Sequence, residues 1–229
     1  MILLEKYLNE LNIPFDKDTI NKFQTYYDLL IEYNKMFNLT SITEKNDVII
    51  KHYVDSLYGY KYFKNNNMVA DVGSGAGFPA LPLAIVLKDV NFTLIDSLNK
   101  RVNFLNAVIN KLNLKNCTAI HSRVEDYCST NRHKFDIATA RAVAGMPTLL
   151  EYLVPLLKPN GKAICYKSIN VDNELSLCDN AFKKLSCKLT DKVDYNLEDN
   201  FRSIIIVESL EKCNKCYPRS GNKPKINPL

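Results

Sequence analysis

One stretch, Met68-Val-Ala-Asp-Val-Gly-Ser-Gly-Ala-Gly-Phe-Pro79, constrains the fold more than any other. The short apolar run from Met68 to Val72 reads as a buried strand, and it passes straight into Gly73, Gly75 and Gly77 and then into apolar residues 78–87, which read as a helix. Glycines let the chain turn sharply and let a ligand lie against the main chain, and the start of the following helix offers N–H groups to an acceptor. A strand, glycine loop and helix in this order belong to an α/β sheet that binds a nucleotide-like ligand at the carboxyl ends of its strands.

The rest of the chain fits such a sheet. Residues 91–95, 117–120, 135–139 and 161–166 read as further strands, with helices at 99–112 and 147–157 between them. This alternation implies a parallel sheet covered on both faces. Residues 185–193 and 202–207 are two β-like runs whose polar link is too short for a parallel crossover, so they are expected to form an antiparallel pair at one edge. Upstream, Ile20, Phe23, Tyr27, Leu30 and Ile31 recur at helical spacing over 19–33, with Asp16 or Asp18 as the N-cap. A shorter helix is expected at 3–11 and another at 47–63, with Ile49, Ile50, Tyr53, Leu57 and Tyr60 facing inward. The expected fold is therefore a Rossmann-like α/β fold. It comprises a mostly parallel seven-stranded sheet with an antiparallel edge hairpin and an N-terminal helical extension. The chain divides into residues 1–66 (helical extension), 67–211 (Rossmann-like domain) and 212–229 (a basic tail packing near the active site).

Three ligands compete for the loop: a nucleoside triphosphate, a dinucleotide and S-adenosylmethionine. The triphosphate loop ends in Gly-Lys-Ser/Thr, which is missing here. The dinucleotide fingerprint has glycine where Phe78 stands, and that ring would crowd a pyrophosphate. An acidic residue just ahead of Gly-x-Gly-x-Gly resembles the first motif of Rossmann-like methyltransferases, and Asp71 supplies it. Asp96 ends the next strand, where a carboxylate accepts from both hydroxyls of a ribose. Val124 and Glu125 follow the third strand, where an acidic group meets an adenine edge.

Composition narrows the setting. The N-terminus has a carboxylate at Glu5 ahead of any apolar core, unlike a secretory signal, and no stretch approaches the ~18 apolar residues of a membrane span, so a cytoplasmic protein is expected. The seven cysteines are an odd set, several of them in apolar runs, and read as reduced thiols. Only Cys213 and Cys216 have ligand spacing, and no neighbouring pair completes a metal site, so none is expected. The net charge of +5 is mild, but Lys212, Lys215, Arg219, Lys223 and Lys225 crowd the last eighteen residues. Such a tail suits either a polyanion or solvent.

The sequence resembles the glucose-inhibited division protein B family, bacterial guanine-N7 methyltransferases of small-subunit (16S) ribosomal RNA, over nearly its whole length. The likeness rests on Tyr33-Asn34 with Asn38-Leu-Thr40, His52 with Asp55-Ser-Leu57, Asp71 to Pro79, Asp96-Ser97 with Lys100-Arg101 and Phe104-Leu105, Ala140-Arg-Ala142, and Tyr217-Pro-Arg-Ser-Gly221 with Pro224 and Pro228-Leu229. It departs at Tyr33, Ala80, Ser168 and Ser220, where the family usually has Trp, Gly, Gly and a basic residue. The resemblance implies that Gly73, Phe78, Val124, Glu125 and Arg141 lie on S-adenosylmethionine, that basic residues around the methyl group hold RNA, and that the 530 loop is the target region; Arg141 and Lys167 are the expected catalytic residues. Lys100, Arg101, Arg123, Lys167, Arg219 and Lys223 are assigned to RNA phosphates.

Guanine N7 carries a lone pair and no proton, so its methylation needs orientation rather than a general base. The sequence has no Asn/Asp-Pro-Pro-Tyr/Phe motif of amino-group methyltransferases, and none of its cysteines adjoins a proline, as cysteine-directed cytosine chemistry commonly requires. Arg141, just past the fourth strand, is expected at the methionine carboxylate or the guanine. His52 and Asp55, one turn apart, are expected to pack or cap their helix. A monomer is the default. Two other readings stay open: a methyltransferase of another RNA or a small molecule, and a catalytically silent S-adenosylmethionine- or RNA-binding module.

Overall fold

The computed structural model describes residues 1–168 and 171–229. Its first part is helical. α1 (Ile2–Glu10) turns Leu4 and Leu8 inward. α2 (Lys17–Phe37) is capped by Asp16, whose carboxylate accepts from the Thr19 N–H at 2.7 Å, while Asp18 pairs with Lys22 at 2.7 Å. α2 outruns its expected span at both ends and stops where Asn38 turns left-handed at φ 49°. Its buried face is Thr19, Phe23, Tyr26 and Leu30, whereas Tyr27, expected inward, is only half-buried. Tyr26 is drawn in because its hydroxyl donates to the Ala76 carbonyl of the glycine loop, a partner that spacing along α2 does not reveal.

The helix expected over 47–63 is interrupted. α3 (Lys45–Val48), a π-helical turn (Ile49–Val54) and α4 (Asp55–Leu57) follow one another without a gap, and a 3₁₀ turn (Tyr60–Tyr62) closes the segment. A π turn adds a residue to the helical ring, so the α-helical spacing read from the sequence does not carry through it. His52 and Asp55 are both buried here.

The strands are β1 (Met68–Val72), β2 (Asn91–Asp96), β3 (Cys117–His121), β4 (Phe135–Arg141), β5 (Leu157–Lys167), β6 (Cys187–Leu197) and β7 (Asn200–Ser209). They form one sheet in the order β3-β2-β1-β4-β5-β7-β6, with β1 to β5 parallel and β7 antiparallel to both β5 and β6. The connecting helices are α5 (Ala80–Val86), α6 (Asn99–Lys111), α7 (Val124–Asn131), α8 (Met146–Leu153), α9 (Val171–Leu175), α10 (Asp179–Leu185) and, near the C-terminus, α11 (Lys223–Ile226). The mostly parallel sheet and its antiparallel edge hairpin match the sequence expectation.

Strand side chains alternate between two cores. Val69, Leu94, Ile137, Ile164 and Ile206 join Leu4, Phe23, Tyr26 and Tyr53 of the N-terminal helices in one. Ala70, Ala138, Ala140 and Ala163 face the other, beneath Leu149, Leu150 and Leu153 of α8, where Cys213 and Leu229 also pack. Small residues on that face let α8 lie close to the sheet. Among the described residues, no helix is long and apolar enough to cross a membrane.

Gly77 lies at φ 93°, and a Cβ added there would stand 2.8 Å from both the Leu81 Cγ and the Tyr26 hydroxyl. Gly77→Ala is expected to destabilise the protein by about 3 kcal/mol, combining left-handed strain with overpacking of a rigid core. Urea unfolding measures this, and an unchanged midpoint would mean that the loop yields.

Candidate active site

The chain proceeds outward from β1 to β2 and β3, then returns to β4 on the other side of β1. A reversal of this kind leaves a crevice at the carboxyl ends of the two central strands. Asp71 pairs with Thr139 in the β1/β4 register, so Asp71 near the end of β1 and Arg141 at the end of β4 flank that crevice.

The glycine loop is held mainly by its own main chain. Gly73 N–H donates to the Ile95 carbonyl at 2.8 Å, and the Gly77 and Phe78 N–H groups donate to the Ser74 carbonyl at 2.7 and 3.2 Å. The following helix therefore starts at Ala80, two residues later than expected, and the Phe78 amide is not a free donor. Asp96 is 2% exposed. Its Oδ2 accepts from the Gly75 N–H at 2.8 Å and its Oδ1 from the Leu98 N–H at 2.9 Å, which ties the end of β2 to the loop and leaves lone pairs on both oxygens for a ribose. Arg101, assigned to RNA, leans on Asp96 at 3.5 Å.

Asp71 is fully buried, and among the described residues neither carboxylate oxygen has a hydrogen-bond partner, the nearby Ser74 hydroxyl donating to the Asp71 main-chain carbonyl instead. Burial pushes its carboxyl from the ordinary 3.8 up to about 7, against the opposing pulls of the Ser74 hydroxyl and then Arg141. An orphaned acid of this kind is costly unless a ligand answers it.

Two of the clefts at this edge are lined by expected site residues. The first, about 100 Å³, brings together Gly73, Ser97, Val124, Glu125, Asn222 and Lys225, along with Arg123. Of the expected cofactor residues, Gly73, Val124 and Glu125 meet here, whereas Asp71, Gly75, Gly77 and Asp96 do not line this cleft. Phe78 does not line this cleft. Its ring is turned into the core, stacked on His52 with centroids 4.3 Å apart and packed against Tyr26, so the steric argument drawn from it against a dinucleotide does not describe its place in the fold.

The second cleft, about 290 Å³, is lined by Lys51, His52, Asp55, Arg141, Lys167 and Arg202, with Glu174 beside them. Arg141 donates to the Asp55 Oδ2 at 2.7 Å, to the Lys51 carbonyl at 3.1 Å and to the His52 Nδ1 at 3.0 Å, and its guanidinium lies 4.9 Å from the Phe78 ring centre. Asp55 also accepts from the Tyr195 hydroxyl at 2.9 Å. His52 and Asp55, expected only to pack or cap, are the groups that hold Arg141. Burial, and then the guanidinium, push the imidazole down to about 3, so His52 is neutral. Nδ1 faces the Arg141 guanidinium at 3.0 Å and the Lys51 carbonyl at 3.1 Å, and Nε2 faces the Thr40 hydroxyl at 2.9 Å, so both ring nitrogens are engaged.

Two residues assigned to RNA phosphates are paired within the chain. Arg219 is folded inward onto the fully buried Glu151, donating from Nε at 2.9 Å and from a terminal nitrogen at 2.7 Å. Lys167 is paired with Glu174 at 2.6 Å and donates to the Ala144 carbonyl at 3.1 Å. Arg219 is thus held by a buried carboxylate and Lys167 by a partly exposed one. Lys100, Arg123 and Lys223 are exposed. Tyr195, Arg202, Glu174 and Glu151 were missed by sequence reasoning, because their partners lie far along the chain.

The chain resembles known proteins along most of its length. A family described as rRNA small subunit methyltransferase G matches residues 19–200. A Clostridium perfringens protein named ribosomal RNA small subunit methyltransferase G is 43% identical, covering 99% of this chain and 98% of that protein. One of the same name from Lachnoclostridium phytofermentans is 44% identical, covering 97% and 94%. The chain belongs to this family. It is accordingly a methyltransferase, and its methyl donor is S-adenosylmethionine. The fold is shared with a SAM-dependent methyltransferase from Aquifex aeolicus at a TM-score of 0.57 and 18% identity, covering 74% of this chain and 96% of that one. The residues fit the donor: the partnerless carboxylate of Asp71 beside the glycine loop suits the ammonium of its methionine part.

Proposed function

We propose that this methyltransferase acts on N7 of a guanosine in 16S ribosomal RNA, in the 530-loop region, as a cytoplasmic monomer. The observation that carries this reading is the Arg141 cleft. His52 is neutral and bonded at both ring nitrogens, and Asp55 is engaged by Arg141 and Tyr195. Such a cleft binds and orients its guest and takes no proton from it, as N7 requires. S-adenosylmethionine, when bound, supplies a methyl group on a sulfonium. On this reading Asp71 holds the donor's ammonium, Gly73, Gly75 and Gly77 lie along it, Asp96 takes the ribose, and Val124 and Glu125 meet the adenine. Arg141, backed by Phe78, and Lys167 orient the base. Residues 1–66 are a helical extension of the catalytic part, 67–211, and residues 212–229 are the basic tail near the site.

Small subunits from cells lacking this modification, incubated with donor labelled in the methyl group, are expected to carry the label on N7 of one guanosine. Label on a cytosine, an adenine or a protein would overturn the reading. Lys100 and Arg123 are exposed beside the cofactor-side loops. Replacing both with Ala should weaken RNA binding and flatten its log–log salt dependence by about 0.7–0.9 for each phosphate no longer neutralised. An unchanged slope would remove them from the RNA surface.

A further inference from the structure

The last residues of the chain form part of the cofactor cleft. Glu151 on α8 is completely buried and accepts three hydrogen bonds from Arg219: from its main-chain N–H at 2.8 Å, from Nε at 2.9 Å and from a terminal nitrogen at 2.7 Å. The same guanidinium donates to the Asn227 carbonyl at 2.8 Å, so it binds both ends of the intervening turn. Thr148, also on α8, donates to the Pro224 carbonyl at 2.8 Å, and Leu229 is buried against the same core. A segment held at three points is a fixed strap, unlike a solvated tail. Between these points Asn222 and Lys225 reach the cleft that contains Gly73, Ser97 and Glu125. Among the described residues, Lys225 forms no ion pair and its ammonium has no hydrogen-bond partner.

We propose that the strap supplies two further cofactor-binding residues, Asn222 and Lys225, and that the Arg219–Glu151 pair positions them. Ser97, Ser122 and Val124 follow β2 and β3, which makes this the adenosine side of the cleft. The ring nitrogens and ribose oxygens of an adenosine are acceptors, and an amide and an ammonium on the side away from the sheet are donors to match. The cofactor is held between sheet and strap. This inference rests on assigning the cleft to S-adenosylmethionine.

The test uses calorimetric titration of S-adenosylmethionine and of its demethylated product, since the chain has no tryptophan to report binding. It is paired with steady-state methylation of small subunits and thermal unfolding by circular dichroism. The variants are the double substitution Asn222→Ala with Lys225→Ala, a chain ending at Ser220, and Gly73→Val. The double variant is expected to bind cofactor about tenfold more weakly, as losing two net hydrogen bonds implies. Its cofactor KM should rise by a similar factor while kcat and the RNA KM hold. The shortened chain should lose more. If it does not fold, the double variant, made at exposed positions, decides the matter alone. Unchanged cofactor affinity in the double variant overturns the proposal, and a raised RNA KM alongside makes the strap an RNA-binding element. Gly73→Val introduces a Cβ 2.7 Å from the Val143 Cγ2 at φ 68° and should abolish cofactor binding. If Gly73→Val still binds normally, the assignment of the cleft itself fails.

Discussion

Arg141→Ala is expected to unfold at markedly lower denaturant concentration and to lose methyl transfer. Arg141 and Asp55 have side chains only 15% and 4% exposed, and removing Arg141 leaves the buried Asp55 with the Tyr195 hydroxyl and a longer, 3.6 Å contact to Arg202. Such a loss costs about 3–5 kcal/mol. The effect on turnover has a separate origin. Arg141 forms the floor of the second cleft and is aimed by four groups from distant parts of the chain: Lys51, His52, Asp55 and the Phe78 ring. Arg141→Lys keeps the charge but cannot bond Asp55 and His52 together, so it should recover part of the stability and little of the rate. His52 provides a further signal. Arg141 is the second cause of its lowered pKa, after burial, so in Arg141→Ala the imidazole should titrate nearer its ordinary 6.5, as followed by proton NMR. If Arg141→Ala retains its stability, its turnover and the His52 titration, the arginine is not the centre of the cleft.

The contrast between Asp96 and Arg219 indicates what the sequence discloses. The placement of Asp96 against the glycine loop was legible because it follows from local order: strand, turn, then a carboxylate in register with the loop one strand away. The sheet was legible for the same reason, since strands such as Val69-Ala-Asp-Val72 and Ile204-Ile-Ile-Val207 carry their burial in their own composition. The inward pairing of Arg219 was not legible because its partner, Glu151, is 68 residues away and itself reads as an ordinary polar position on α8. Asp55 and Tyr195 meet across 140 residues, and Tyr26 reaches Ala76 across 50. Periodicity reports which face of an element is apolar, whereas a buried polar pair depends on two elements at once. The π turn adds a second cause, because it breaks the helical spacing just where His52 stands.

Asp71 gives the second large effect, and it is read through pH. In the free protein its carboxyl titrates near 7 against an ordinary 3.8. Between those values the unfolded chain has released a proton that the folded protein still holds, so raising the pH favours unfolding. The stability at stake is fully present below about pH 4, falls as pH rises and is gone above pH 7. For a shift of this size it amounts to about 4 kcal/mol. Asp71→Asn should remove that slope and leave the free protein more stable than the parent at pH 8. Cofactor binding should respond in the opposite sense. An ammonium beside Asp71 favours the ionised carboxylate, so affinity for S-adenosylmethionine is expected to rise from pH 6 to pH 8. Part of a proton should be released on binding at pH 7, measurable by calorimetry in buffers of different ionisation enthalpy. In Asp71→Asn the affinity should fall by about a hundredfold, the cost of a charge-assisted bond in a buried site, and lose its pH dependence. Affinity that is flat with pH in the parent protein would mean that Asp71 does not face the donor. In that case the acid ahead of the glycines would serve the loop alone, and the ammonium would need another partner at the end of β1.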